Sequence, residues 1–204
     1  MLSVLAPGTR EAVSSALPAL AVAAPALGAI AVTIAGRRER VRDLVASAWT
    51  AATLVLCALM FPSVMLHGKT LVSHEPVFFG NFTLSADQLG LLFALAATLL
   101  WFVDTVYARD YIRHEKRRTR YQVFSLLAES AVLGVFFAGD FLVFFVFFEL
   151  IALFAYMLVI HNQEPASLEA GSKLMLMSIY GGLSLLFGIL LFQGQCKFKQ
   201  FFRC

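Results

Sequence analysis

An acidic residue, Glu149, lies in the middle of a strongly apolar stretch, DFLVFFVFFELIALFAYMLVIH at residues 140–161. A helix of this length rises about 1.5 Å per residue and crosses the roughly 30 Å core of a bilayer, which places Glu149 near its middle. An ionisable side chain there costs at least ~2.5 kcal/mol to insert and is a functional-site hypothesis by default. We expect Glu149 to transfer protons, because burial and nearby cations tune its proton affinity. The alternative is a neutral carboxyl group that only bonds a neighbouring helix.

Two further ionisable residues, Glu129 and Lys173, fall inside apolar segments. Each helix has one end on the side where the basic connections lie. Measured along the helix from that end, Glu129 lies about 12 Å deep, Glu149 about 17 Å and Lys173 about 8 Å. A cluster of the three, linked through one or two waters, is geometrically feasible. The alternative for Lys173 is that its long side chain reaches the membrane interface. For Glu129 it is a structural, hydrogen-bonded carboxyl group.

The segment after Lys173 repeats small residues at helical spacing. One face holds Lys173, Met177, Gly181, Ser184 and Gly188. Because small residues mark helix-packing faces in membranes, we expect this face, and Lys173 with it, to point into the protein.

Six apolar segments are long enough to carry these residues across a membrane. They cover residues 16–35, 44–66, 87–108, 121–138, 140–161 and 168–192. With 60% hydrophobic and 14% charged residues, the chain is typical of an all-α, polytopic membrane protein. Basic residues follow the first segment rather than precede it, which favours a retained helix over a signal peptide.

The segments divide the chain into five parts. We expect an external N-terminal segment (1–15), helices one and two (16–66), an external loop (67–86), helices three to six (87–192) and an atypical tail (193–204). Pro62 should kink the end of the second helix, and Asp140 should cap the start of the fifth. In the loop, residues 77–79 and 82–84 flank a turn-prone Gly80-Asn81 pair, which predicts a short hairpin.

The basic residues orient these helices. Four Arg follow the first helix and six Lys or Arg lie at residues 109–120, whereas the loop between the second and third helices holds only Lys69. The positive-inside rule therefore places both basic connections in the cytoplasm and the N-terminus outside the cell. Basic residues in this arrangement indicate membrane topology rather than nucleic-acid binding.

The sequence contains no motif for metal binding, disulfide formation, cofactor binding or nucleophilic catalysis. Cys57 lies in an apolar segment and Cys196 and Cys204 lie in the tail, a spacing that indicates neither a metal site nor a disulfide framework. We find no flavin, iron–sulfur or nicotinamide motif and expect no cofactor. No nucleophile with an oriented base is visible, which argues against a membrane-embedded enzyme acting on a soluble substrate.

Several short motifs together resemble a known family. They are DQL at residues 87–89, YARDY at 107–111, GD at 139–140, FELIAL at 148–153 and EAGSK at 169–173. In these the chain resembles the antiporter-like subunits of complex I and of Mrp-type cation/proton antiporters. The resemblance implies that Glu149 is the core proton-transfer residue of the fifth helix and that Lys173 matches the lysine near the start of the sixth. It assigns no role to Glu129.

The resemblance also implies a larger architecture. Members of the family have about fourteen helices around two inverted repeats, so this chain matches their N-terminal portion. The tail changes composition abruptly and, at Lys197, Lys199 and Arg203, carries basic charge on the external side. We expect it to be an out-of-frame ending of a truncated chain.

The predicted function is therefore an inner-membrane subunit, or fragment of one, that translocates protons or exchanges a cation for protons. Its partners would be the lipid bilayer and other membrane subunits of a complex I-like NADH-quinone oxidoreductase, a membrane hydrogenase or an Mrp antiporter. Redox energy, if used, would come from those partners. The alternative is a membrane scaffold subunit that transports nothing.

Overall fold

A computed structural model describes residues 12–36, 39–77, 80–111 and 118–201, and these residues form six α-helices, one π-helix and three short strands. The helices are α1 (Leu17–Ala35), α2 (Glu39–Phe61), α3 (Gln88–Tyr111), α4 (Arg118–Phe136), α5 (Phe141–Val159) and α6 (Pro165–Phe201), and the strands are β1 (Ala12–Ser14), β2 (Thr70–Val77) and β3 (Gly80–Ala86). The prediction of an all-α, polytopic protein is confirmed.

The first four helices form a bundle, with α4 between α1 and α5. Helix α5 packs on α4, and α6 packs mainly on α5. By length and composition, five of the described helices are able to cross a membrane, and α4 is not among them. Its polar residues, which include Gln122 and Glu129, are buried by the neighbouring helices.

Pro62 changes the helical hydrogen bonding of α2, as expected of a residue without an N–H group. The helix continues as a π-helix over Pro62–Leu66, and the His67 N–H donates to the Pro62 carbonyl at 3.2 Å. The predicted kink is thus a widened turn, a form often seen as a single turn within helices.

Beyond the π-helix, the loop forms the predicted hairpin in a different register. Strands β2 and β3 are antiparallel and pair Val77 with Gly80. Gly80-Asn81 therefore belongs to β3 rather than to the turn, and residues 78–79 lie outside the described residues. Strand β1 adds a parallel third strand that the sequence did not predict.

The hairpin also contacts the connection between α4 and α5. The Gly139 N–H donates to the Thr83 carbonyl at 2.9 Å, and the Ser85 N–H donates to the Phe137 carbonyl at 2.7 Å. Asp140 occupies the predicted N-cap position of α5, but its side chain makes no capping hydrogen bond. These contacts fix the start of α5 against one end of the bundle, which we call the hairpin end.

The opposite end of the bundle carries Arg42 at the start of α2 and Arg118 at the start of α4, and we call it the basic end. Helix α5 ends here, where the His161 and Tyr121 rings meet edge to face with centroids 5.9 Å apart. Helix α6 starts here and runs back to the hairpin end, where Phe192 meets Phe141. It continues helically to Phe201, through most of the predicted tail.

Candidate functional site

Glu149 lies at the interface between α5 and α6, opposite Gly182. A β-carbon at Gly182 would overlap Oε1 of Glu149, so only glycine leaves room for the carboxyl group in this position. Oε1 is buried and has no hydrogen-bonding partner among the described residues. The structure therefore places a mid-helix carboxyl group against α6 with one oxygen free to accept a proton or a water.

A groove of about 380 Å³ opens beside this carboxyl group. It is lined by apolar side chains of α5 and α6, and Ser178 is the other polar residue in its wall. Because the groove lies on the outer side of the α5–α6 pair, groups from outside the described residues have access to Glu149.

Glu129 lies on the other side of α4 and does not join Glu149. Gly134 faces α5, where any side chain would overlap the Phe147 ring. Phe147 and Glu149 are two residues apart and so point to opposite sides of α5. Glu129 instead interacts electrostatically with Cys57 of α2, and its side chain is 1% exposed. The predicted three-residue cluster is therefore not formed in this structure.

Lys173 lies near the basic end of α6 and points away from α5. Its Nζ donates to Oε1 of Glu169 at 2.7 Å, and both side chains are about 70% exposed (68% and 70%). Between residues 173 and 182 the helix rises about 13.5 Å, so Lys173 does not reach the Glu149 carboxyl group directly.

The prediction of which α6 face packs was wrong. Beta-carbons added at Gly181 and Gly188 would meet no atom of the described residues within 4 Å, and Ser184 is exposed. The packed face instead carries Gly171, against Ile160, and Gly182, against Glu149. Successive residues of a helix point about 100° apart. The predicted face includes Gly181, whereas the packed face includes its neighbour Gly182, so the prediction was off by one residue around the helix.

A polar network at the basic end was missed by the sequence analysis. Arg42 donates through Nε and Nη2 to Oδ1 of Asp43 at 3.1 and 3.0 Å, and through Nη1 to Thr119 at 3.3 Å. Gln122 Nε2 donates to the same Asp43 oxygen at 2.8 Å. In the sequence, these Arg residues indicate membrane topology alone. The one indication of a buried ion pair in the sequence is that Asp43 directly follows Arg42.

The described residues hold no group of three His, Cys, Asp or Glu side chains close enough to bind a metal ion.

Comparison with known proteins places this arrangement in context. The family model "NADH:quinone oxidoreductase/Mrp antiporter, TM" matches residues 138–203, which hold α5 and α6. Na(+)/H(+) antiporter subunit A1 of Staphylococcus aureus, in strains RF122 and Newman, is 31% identical over 140 residues. That alignment covers 68% of this chain, which spans 17% of the length of these relatives.

Two solved structures share the fold. A subunit of the membrane-bound sulfane sulfur reductase, an archaeal respiratory membrane complex, superposes with a TM-score of 0.76 at 20% identity, over 87% of this chain and 28% of that one. A chain of the Mrp complex from Dietzia sp. DQ12-45-1b superposes with a TM-score of 0.72 at 21% identity, over 83% of this chain and 18% of that one.

Proposed function

Since this chain belongs to the family of antiporter-like membrane subunits shared by NADH:quinone oxidoreductases and Mrp antiporters, we propose that it moves protons across the membrane through Glu149. The observation that carries the proposal is the Glu149 carboxyl group at mid-helix, with one buried oxygen unpaired and a groove beside it. A carboxyl group at this depth is costly and marks a proton or ion pathway by default.

In the proposed mechanism, Glu149 alternates between its charged and neutral forms. A cation brought near the carboxylate stabilises the charged form, and its withdrawal favours uptake of a proton. Water in the groove would bridge the carboxyl group to that cation.

We propose Lys173 as one such cation. In this structure it is bound to Glu169 on the exposed face of α6. Release from Glu169 would free its ammonium group to join a water chain toward Glu149, because the Lys side chain has four rotatable methylene groups. The same exposed position suits the alternative of a side chain that reaches the interface.

We propose that the basic end faces the cytoplasm, so that the N-terminus and the hairpin end lie outside. Arg40, Arg42, Arg118 and Arg120 lie at this end, and such residues favour the cytoplasmic side.

The assembly would be a multisubunit inner-membrane complex. An Mrp-type antiporter that exchanges Na⁺ or another cation for protons is favoured, because the relatives are named as Na(+)/H(+) antiporter subunits. The alternative assemblies are a complex I-like oxidoreductase and a membrane hydrogenase.

The proposal is tested by Glu149→Gln in the chain expressed with its neighbouring subunits. Proton movement would be followed with a pH-sensitive dye in everted membrane vesicles. We expect loss of cation-driven or redox-driven proton movement with normal subunit assembly, because glutamine keeps the shape but does not ionise. The matched control is Glu164→Gln, in the exposed turn before α6, which should transport normally.

Undiminished proton movement in Glu149→Gln would contradict the proposal and favour the scaffold function. One observation supports that second candidate: the face of α6 that holds Gly181, Ser184 and Gly188 is uncovered by the described residues. A scaffold predicts that leucine at these positions disrupts association with other subunits, whereas Glu149→Gln has no effect.

A further inference from the structure

Three helices of the bundle change from polar to apolar at the same depth. On the sides of these helices that face one another, the polar side chains end, counted from the basic end inward, at Cys57 on α2, Thr98 on α3 and Glu129 on α4. The next buried polar residue of α4, Ser130, faces α1 instead and donates to the Val22 carbonyl at 2.7 Å. The polar side chains at successive turns are Thr50, Thr53 and Cys57 on α2, Thr105, Trp101 and Thr98 on α3, and Gln122, Ser125 and Glu129 on α4. Toward the hairpin end the same faces carry Met60, Val64, Leu91, Ala94, Leu133 and Phe137, which are all fully buried.

Glu129 lies at the inner limit of the polar region without a partner. Both carboxyl oxygens are buried, and neither has a hydrogen-bonding partner among the described residues. Cys57 and Thr98, which interact with each other, are close to it, and Cys57 is the titratable side chain of α2 at this level. A buried carboxylate without a pair is strongly disfavoured, so this group holds a proton or is reached by water.

The threonine side chains leave acceptor sites for such water. Thr53 donates to the Trp49 carbonyl at 2.9 Å, and Thr98 donates to the Ala94 carbonyl at 2.9 Å, each within its own helix. A hydroxyl group that has used its hydrogen still has a lone pair free. The wall around Glu129 is therefore able to accept hydrogen bonds from water.

At the basic end the polar region begins with a cavity of about 10 Å³, lined by Asp104, Tyr121, Gln122 and Ser125 among others. This is the space that one water needs. Gln122 Oε1 is buried there and has no hydrogen-bonding partner among the described residues, although Nε2 is bonded to Asp43. An acceptor with no partner beside a water-sized space indicates a hydrated entrance.

Ser125 connects the entrance to the interior. Trp101 Nε1 donates to both the carbonyl oxygen and Oγ of Ser125 at 3.1 Å, so the serine hydroxyl hydrogen is free to point elsewhere. From Ser125 to Glu129 the helix rises about 6 Å, a gap that one or two waters bridge.

We propose that Glu129 is a second proton-binding site, at the closed end of a polar half-channel that opens at the basic end of the bundle. A proton from water at the basic end passes Gln122 and Ser125 and binds the Glu129 carboxylate, and the same path returns it. The apolar layer beyond Glu129 blocks passage to the hairpin end. The half-channel lies on the opposite side of α4 from Glu149, so it does not depend on the role proposed for that residue.

Among the described residues, the other titratable and charged groups that face this region lie at its entrance. They are Arg42 and Asp43 on α2, Asp104 on α3, and Arg118 and Tyr121 on α4. Helix α1 contains no titratable side chain, and Glu149 of α5 faces α6. Titration of a carboxyl group deep in the bundle therefore belongs to Glu129.

Infrared spectroscopy of the 204-residue chain in lipid nanodiscs tests proton binding. We expect a protonated-carboxyl band that changes with bulk pH, exchanges in D₂O and is lost in Glu129→Gln. In Ser125→Val, exchange of this band should slow about tenfold, as expected when one hydrogen-bonded step is removed. Ser184→Val, the same change on the exposed face of α6, should leave the rate unchanged. A Glu129 band that ignores pH, or exchange that is equal in both valine variants, would overturn the proposal.

A second measurement does not require any change at Glu129. With Cys196→Ser and Cys204→Ser, Cys57 becomes the single thiol. We expect Ag⁺ added on the basic side of oriented vesicles to react with Cys57, and Ag⁺ added on the hairpin side not to react. With Cys57 also replaced by serine, a Leu133→Cys thiol should be protected from both sides. Reaction of Cys57 from the hairpin side or from neither side, or a reactive Leu133→Cys thiol, would refute the half-channel.

Discussion

Glu149 and Gly182 show how one missing β-carbon makes room for a buried carboxyl group. The glycine lets the carboxyl group lie flat against α6, where an alanine side chain would occupy the space of Oε1. The neighbouring glycine, Gly181, faces outward with nothing within 4 Å of its β-carbon position. The two adjacent glycines thus differ in packing but not in position along the helix, so substitution of Gly181 is a matched control for substitution of Gly182.

We predict that Gly181→Ala stabilises the chain by about 0.5–1 kcal/mol, because alanine is the better helix former at an exposed position. Gly182→Ala gains the same helix preference but overpacks the Glu149 carboxyl group, so it should be less stable than Gly181→Ala by about 1 kcal/mol. The cost at Gly182 is at the low end for overpacking, because the carboxyl group is able to rotate into the adjacent groove. Thermal unfolding of both variants in detergent, followed by circular dichroism, measures the difference. Equal midpoints would show that Glu149 does not pack against Gly182.

At the scale of the elements, two ion pairs contrast sharply. Arg42 and Asp43 join the start of α2 to α4 through Thr119 and Gln122, and their side chains are 5% and 18% exposed. Lys173 and Glu169 lie within one helix and are 68% and 70% exposed. The first pair connects helices and is shielded from solvent, whereas the second connects two turns of α6.

We predict that Asp43→Ala lowers the free energy of unfolding by about 3 kcal/mol, because it leaves Arg42 buried without its carboxylate. Glu169→Ala should lower it by about 0–1 kcal/mol, as is usual for an exposed pair. Denaturant titration of the two variants under the same conditions provides the comparison. A larger loss for Glu169→Ala would mean that the exposed pair holds α6 in place.

At the scale of the whole molecule, the described residues form two unequal parts. Helices α1 to α4 enclose a core that the hairpin closes at one end. Helix α5 adds Val143 to this core and packs Phe147 against it, but most of α5 and α6 lies outside. Of the 18 most apolar consecutive residues of each helix, 44% are buried in α1 but only 6% in α5 and 11% in α6. This arrangement leaves the Glu149 groove at the outer surface and Glu129 in the centre.

We predict that backbone hydrogen exchange separates the two parts. In nanodiscs containing this chain alone, amides of α4 should exchange more slowly than amides of α6, because α6 is packed mainly on one helix. Peptides from both helices, followed by mass spectrometry, give the comparison. Equal protection would indicate that another surface covers α6. Added partner subunits that bind the uncovered face should slow exchange in α6 selectively.

Much of the fold was accessible from the sequence because bilayer thickness and charge are strong constraints. The six helices were predicted to within a few residues for most boundaries, and the hairpin was predicted between the second and third helices. The start of α5 after Asp140 and the disruption at Pro62 followed from local backbone chemistry. Strand β1 was not predicted, because its pairing with β2 joins residues far apart in the sequence.

The sequence by itself also singled out Glu149, Glu129 and Lys173 as candidate site residues, because charge inside an apolar segment is costly wherever the segment packs. It did not determine their directions. Only the tertiary structure separated Glu129 from Glu149, turned Lys173 toward Glu169 and chose Gly182 over Gly181 as the packed glycine. The physical reason is that helical periodicity defines which residues share a face, whereas the neighbouring helices decide which face is buried.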